Sequence, residues 1–348
     1  MWLNGILFAA CLGLVLWASE LLARGVDRLG SNLHLSDELI GILTALGADS
    51  PEISSAIVAL ISNKRDLGVG IVLGSNLFNL AALLGLGAVL AGQVGARSSA
   101  TVFNGTVAFA VALVSGGLIT RLFSPIAAST IVLLIIVPYL YVLAVGSDRI
   151  KRLPLPPSWQ GFLIKAGAEQ KEETRNIGQE ARNEQRQKRQ RKGDTEGQSW
   201  KPALLGIPAL AAIVLGSVGL IKYATAIGKG WLPEAVLGTF VLASLTGLPN
   251  SFTAVRLARS GKGAAVLTET FNSNTINVIV GLLLPALVFG ETSPNSLVIL
   301  NLGWLVFMTG LAIVLSARSA KLTRTQGFAL ISVYVGFVGT WVALFLRK

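Results

Sequence analysis

Apolar stretches of about twenty residues recur along the chain, separated by short polar interruptions. A helix rises 1.5 Å per residue, so a stretch of that length crosses the ~30 Å hydrocarbon core of a bilayer. The pattern predicts spans at Trp2–Ser19, Leu39–Ser62, Leu67–Ala91, Val102–Ile119 and Ile126–Gly146. A second set is predicted at Ala203–Ile221, Ala235–Leu257, Ala264–Phe289, Leu297–Ala317 and Phe328–Leu346. The spans fall five and five around a hydrophilic stretch at 147–201. The first run has no basic segment before it and leads into Glu20, Arg24 and Arg28, which predicts a retained helix rather than a cleaved leader. The fold expected is an all-α membrane protein of about ten transmembrane helices.

Composition agrees with the pattern. Hydrophobic residues make up 52% of the 348 and charged residues only 14%, at a mean hydropathy of +0.65. A soluble chain of this size could not hide so much apolar surface. The 38 glycines suit helices that pack closely in lipid. The net charge of +11 is concentrated: residues 147–201 hold 13 Lys and Arg against 8 Asp and Glu. Basic residues favour the cytoplasmic side, which places this stretch inside and both termini outside. The expected organisation is a five-helix half at 1–146, a basic cytoplasmic linker at 147–201 and a second five-helix half at 202–348. Within the linker, Lys165–Lys192 reads as a solvated segment, partly helical through pairs such as Glu184 and Lys188, with anionic lipid as its possible partner. It has no aromatic interleaving, so nucleic acid is not an expected partner. The single Cys11 excludes a disulfide within the chain, and the single His34 excludes a multi-histidine metal site. Pro285 reads as a kink or stop, and Trp2, Trp231, Trp304 and Trp341 include expected membrane-interface anchors.

The two halves are related. A shift of 198 positions aligns Pro51 with Pro249, Ala56 with Ala254, Ser62 with Ser260 and Lys64 with Lys262. It also aligns Ser75-Asn76 with Ser273-Asn274 and Asn79 with Asn277. The identities fall on polar and helix-breaking residues, which generic hydrophobic similarity would not produce. Each half has an odd number of spans, so the second copy enters the membrane from the opposite side. Two inverted five-helix repeats are a recurring plan of secondary transporters.

Each copy carries the makings of a midplane cation site. Gly47-Ala48-Asp49-Ser50-Pro51-Glu52 is expected to interrupt the second span, and Leu245-Thr246-Gly247-Leu248-Pro249-Asn250 the seventh. Proline lacks an N–H and frees a carbonyl of the preceding turn. Asn79 and Asn277 follow, with Ser75 and Ser273 one turn earlier. Carboxylate, amide, hydroxyl and carbonyl oxygens are the ligands that hard cations prefer.

At these residues the chain resembles the calcium:cation antiporter superfamily, the sodium/calcium exchangers and their relatives. The family repeats read roughly Gly-Thr-Ser-Leu-Pro-Glu, then Gly-Ser-Asn-hydrophobic-Phe-Asn or Asp. Here they appear as Gly47–Glu52, preceded by Ile40-Gly41, and as Gly74-Ser75-Asn76-Leu77-Phe78-Asn79. The later copy is looser, with Thr246-Gly247-Leu248-Pro249-Asn250 and Asn272-Ser273-Asn274-Thr275-Ile276-Asn277. The resemblance implies cation binding midway across the membrane with alternating access. It makes Glu52 the principal carboxylate ligand, flanked by Asn79, Ser75 and the carbonyl of Ala48. Asn250, Asn277, Ser273 and Thr246 are the matching positions of the second repeat. No cofactor is implied; Ca²⁺, Na⁺ or H⁺ would be cargo.

Two departures bear on the chemistry. The family usually places a carboxylate at position 250 and often at 277, where this chain has amides. Two other acids stand close in sequence. Asp49 replaces a small hydroxyl residue, either as a ligand or as a cap of the following helix. Glu269 lies on the helix face of Ser273 and Asn277, as a structural partner, a displaced cation ligand or a proton carrier. Three functions therefore stand: a secondary active cation antiporter, an exchanger restricted to monovalent ions, and a membrane scaffold that kept the fold. An enzyme is not expected, since no nucleophile–base pair is in view. A prokaryotic inner membrane is the expected location.

Overall fold

The computed structural model describes residues 2–32, 45–95, 98–172, 205–290, 296–318 and 321–346. His34, Ile40-Gly41, the start of the second expected span, and the Glu184–Lys188 pair lie outside the described residues.

Helix α1 covers Trp2–Asn32, α2 Ser50–Ile61 and α3 Arg65–Asn79. A π-helical segment, Leu80–Leu86, and a last turn, Gly87–Ala91, continue α3. Then come α4 (Ser98–Ile119), α5 (Pro125–Ala144) and α6 (157–172). In the second half, α7 is Gly206–Gly228, and a π segment at Leu237–Leu242 leads into α8, Ala243–Arg259. Helix α9 is Gly263–Val278, followed by a π segment at Ile279–Leu283 and a short helix, Leu284–Phe289. Helices α10 (Ser296–Arg318) and α11 (Arg324–Leu346) complete the chain. Among the described residues, nine helices are long and apolar enough to cross a membrane. They match nine of the ten expected spans, and the tenth is the partly described one that contains α2.

Several ends differ for local reasons. Helix α1 runs past its apolar stretch because Glu20 and Arg24, one turn apart, form an ion pair at 2.7 Å and carry the helix on in a polar setting. Gln93–Gly95 (β1) pairs antiparallel with Lys321–Thr323 (β2), a small ribbon that the apolar pattern did not foretell. Gly263 fits against this ribbon, since a methyl group there would overlap the backbone of Val94 and Gly95.

The bundle is inside-out in polarity. Leu133, Leu134 and Val137 of α5, Leu215 of α7 and Val335 of α11 are exposed, while Asn76, Asn79, Asn104, Asn274, Asn277 and Asn301 are buried. Hydrocarbon outside and buried amides inside is the arrangement a bilayer selects. Most helices share one core, whereas Val15, Ala18 and Ile213 form a second, smaller cluster between α1 and α7. Gly216 and Gly219 of α7 let that pair approach closely, against Val15 and Cys11.

Symmetry reaches beyond the aligned motifs. Asn76 donates to the carbonyl of Asn274 at 2.9 Å, and Asn274 donates to the carbonyl of Asn76 at 3.1 Å. These residues are 198 positions apart, so matched residues meet each other across the interface of the two halves. An asparagine–aromatic contact also braces the outer helices of each half. Asn104 of α4 accepts from the Tyr139 hydroxyl of α5 at 3.1 Å, and Asn301 of α10 accepts from the Trp341 indole of α11 at 2.9 Å. Trp341 is therefore a buried donor and not an interface anchor; Trp2 and Trp231 are exposed.

Candidate cation site

The site begins at a break in the first half. Pro51 cannot donate to the carbonyl of Gly47, four residues earlier, so the helical ladder stops there. The freed carbonyl accepts from the Ser19 and Ser50 hydroxyls, both at 2.7 Å. It is therefore satisfied by α1 and α2 rather than left facing a cavity. The Ala48 carbonyl has a weaker contact, with Ser19 at 3.4 Å. Asp49 takes the N-cap position of α2 but makes no side-chain cap hydrogen bond. Its carboxylate is used across the interface instead, where Asn250 donates to Asp49 Oδ1 at 3.0 Å.

Glu52, in the first turn of α2, is 1% exposed, and neither of its carboxylate oxygens has a hydrogen-bond partner. Gly247 of α8 lies opposite, since a methyl group added there would stand 3.5 Å from Glu52 Oε1. Asp49, 2% exposed, has an unpartnered Oδ2. The side-chain oxygens of Asn79 and Asn277 are also buried and unpartnered. Their nitrogens are committed: Asn79 donates to Ser273 Oγ and Asn274 Oδ1, both at 3.2 Å, and Asn277 donates to Asn76 Oδ1 at 3.3 Å. Each amide is thus oriented by the opposite half so that its oxygen remains available.

Other expected residues contribute hydroxyls. Ser75 donates to the Val72 carbonyl at 3.1 Å, and Thr246 donates to Leu242 at 2.8 Å. Spending the proton on the backbone leaves both oxygens as acceptors. Ser273 neighbours Asp49 and already receives the Asn79 amide. Orphaned buried oxygens of one polarity are rare in proteins and require an explanation, and a cation among them would supply it.

One expectation needs correction. The seventh span is not interrupted at Leu245–Asn250: α8 runs through Pro249 without a break, and the irregularity sits earlier, in the π segment Leu237–Leu242. A proline in a helix needs only its own turn relieved, whereas the first copy adds Asp49 and Ser50, which turn the chain at the break. Glu269 is half-buried on α9, one turn before Ser273. Among the described residues, no three His, Cys, Asp or Glu side chains converge on one metal position. Glu269 and Asp49 are close enough for their charges to interact.

The sequence offers Asn76 and Asn274 only as matched letters; they pair reciprocally across the interface of the two halves, and their identity in both copies was the available signal. The apolar pattern did not foretell the π segments after Asn79 and after Asn277-Val278, which place a widened turn directly beyond each site amide.

A sequence model of the sodium/calcium exchanger protein family matches residues 3–153 and 201–342. The chain belongs to the sodium/calcium exchanger family. A relative from Alkalimonas amylolytica, named as the antiporter CaxA, is 37% identical over 81 residues, which is 23% of this chain and 25% of CaxA. That match spans about a quarter of the relative's length. Among solved structures, the sodium-calcium exchanger NCX_Mj aligns over 97% of this chain and 98% of its own, at 19% identity and a TM-score of 0.55. The H⁺/Ca²⁺ exchanger CAX aligns over 99% and 87%, at 12% identity and a TM-score of 0.65. These likenesses fix the fold as two inverted five-helix repeats. The chain is an integral, multi-pass membrane protein.

Proposed function

We propose that the protein is a secondary active cation antiporter, with alternating access around a midplane site centred on Glu52. The observation that carries this reading is the pair of buried, unpartnered Glu52 oxygens, together with the buried, unpartnered oxygens of Asp49, Asn79 and Asn277. A carboxylate taken out of water costs several kcal/mol unless something compensates it. A cation, or a proton in its absence, is that compensation, and competition between them couples the two fluxes. Ser75, Ser273, Thr246 and the Ala48 carbonyl complete the ligand set. Asn250 acts by holding Asp49, and Glu269, which interacts with Asp49, serves as a displaced cation ligand or proton carrier. The charge that relatives carry at position 250 is supplied here by Asp49, from the other half.

A second reading has its own support. With amides at 250 and 277 the pocket carries less negative charge, which favours monovalent exchange of Na⁺ for H⁺. A scaffold that kept the fold is disfavoured by the two buried carboxylates, which such a protein has no reason to retain. The organisation proposed is a half at 1–146, a basic cytoplasmic linker at 147–201 facing anionic lipid, and a half at 202–348, in a prokaryotic inner membrane. The cations are cargo, and no resident cofactor is required.

The test is flux in proteoliposomes under separate Na⁺, Ca²⁺ and H⁺ gradients. Uptake of one cation driven by an opposing gradient of another supports antiport. Calcium-independent Na⁺/H⁺ exchange selects the monovalent reading. No gradient-driven flux of any of the three, from protein that remains folded, contradicts both.

A further inference from the structure

The hydrophilic central stretch is not wholly a solvated linker. Its first part forms α6, whose residues Ala166, Gly167 and Gln170 are buried at helical spacing. Gly167 lets the helix approach α5, since a methyl group there would lie 3.2 Å from the Val142 carbonyl. Phe162 meets Phe103 of α4 edge to face, at 6.4 Å between centroids. Three consecutive residues then fasten its end. Glu169 accepts from the Ala100 backbone N–H at 2.9 Å, in the first turn of α4. Gln170, 7% exposed, accepts from the Asn104 amide at 2.8 Å. Lys171 donates to the Val145 carbonyl at 3.0 Å, just past the end of α5. An acid at a helix start and a base at a helix end each meet the favourable pole of the helix dipole.

Gln170 reaches further than its own contact. Asn104 also donates to Thr268 of α9 at 3.4 Å. The Tyr139 hydroxyl lies 3.1 Å from Asn104 Oδ1 and 3.0 Å from Asn272 Oδ1. Asn272 directly precedes Ser273, and Asn277 is on the same helix. In the other half, Asn301 donates instead to Thr239 of α8's leading π segment, at 2.7 Å. Among the described residues, the central stretch meets the Asn104 clamp through Gln170.

We infer that Gln170 is a positioning residue, through which the docked helix α6 sets the placement of α9 and hence the cation affinity of the site. Glutamine serves here as an acceptor; without it, one Asn104 N–H keeps no close partner and the Tyr139–Asn272 link loosens. This inference rests on the antiport reading for its functional arm but not for its structural one.

The experiment compares wild type, Gln170→Leu and Gln170→Glu, the last of which keeps an acceptor at the same reach. Hydrogen exchange of residues 266–278 in the full-length protein needs no transported ion. The expected result is faster exchange there in Gln170→Leu, at least threefold, and wild-type exchange in Gln170→Glu. In proteoliposomes, ⁴⁵Ca²⁺ uptake into sodium-loaded vesicles should show at least a threefold higher half-saturating concentration for Gln170→Leu. Maximal flux should stay within twofold of wild type, and Gln170→Glu should restore the affinity. Unchanged exchange in Gln170→Leu overturns the inference. Faster exchange with unchanged affinity overturns the positioning role. Absence of Ca²⁺ uptake in wild type counts against calcium antiport and leaves the exchange comparison to decide the clamp.

Discussion

Placing a carboxylate at position 250 restores what the family usually carries there, yet the structure predicts that Asn250→Asp harms this protein. Asn250 donates to Asp49 Oδ1 at 3.0 Å, so the isosteric acid would put two carboxylates in contact. Two like charges 4 Å apart repel by about 4 kcal/mol at an effective dielectric near 20. Uptake of a proton or cation would relieve part of that, leaving about 2–4 kcal/mol of lost stability in cation-free detergent solution. Asp49→Ser alone should cost about 1 kcal/mol, the value of a lost hydrogen bond. The double variant, Asp49→Ser with Asn250→Asp, again has one carboxylate at the interface and should recover most of the loss. The assay is equilibrium unfolding of the four proteins at fixed pH with chelator present. Added Ca²⁺ should raise the stability of Asn250→Asp more than that of wild type. Additivity of the single changes within about 0.5 kcal/mol would show no coupling and refute the idea that Asp49 and Asn250 are a compensating pair.

Further outcomes follow from individual contacts. Asn274→Ala removes its half of the reciprocal Asn76–Asn274 pairing and should cost about 0.6–1.7 kcal/mol, measured by unfolding in lipid or detergent. Gly74→Ala would set a methyl group into the Thr239 backbone, so it should destabilise by about 1–3 kcal/mol or prevent folding. Gly303→Ala on α10, with nothing within 4 Å, is the control, neutral or slightly stabilising in the same thermal melt. Gly247→Ala points at Glu52 and at the Phe78 ring, so it should weaken cation binding several-fold, read from the half-saturating concentration for flux.

The spans and the repeat were legible because both are written in periodic letters: apolar runs of bilayer length, and polar identities at a constant offset. Asn79 and Asn277 stood out for the same reason, and Glu52 by its place directly after Pro51. Orientation of the amides was not, because which atom of Asn79 faces the site depends on Ser273 and Asn274 of the other half, 194 and 195 residues away. The seventh span misled because proline was expected to end a helix, whereas α8 continues through Pro249 and its π segment ends at Leu242. Trp341 was read from its place near a predicted span end, and only the fold brings Asn301 to its indole. The docking of α6 was hidden by composition: Glu169, Gln170 and Lys171 look like solvated residues until the ends of α4 and α5 come to meet them.

The central claim is that a cation replaces the missing partners of Glu52. It is tested most directly by gradient-driven cation flux through wild type and Glu52→Gln reconstituted side by side, with folding verified in each. The account predicts that Glu52→Gln, which keeps the shape and removes the charge, abolishes coupled flux while the protein remains folded. Flux in Glu52→Gln equal to that of wild type would contradict it.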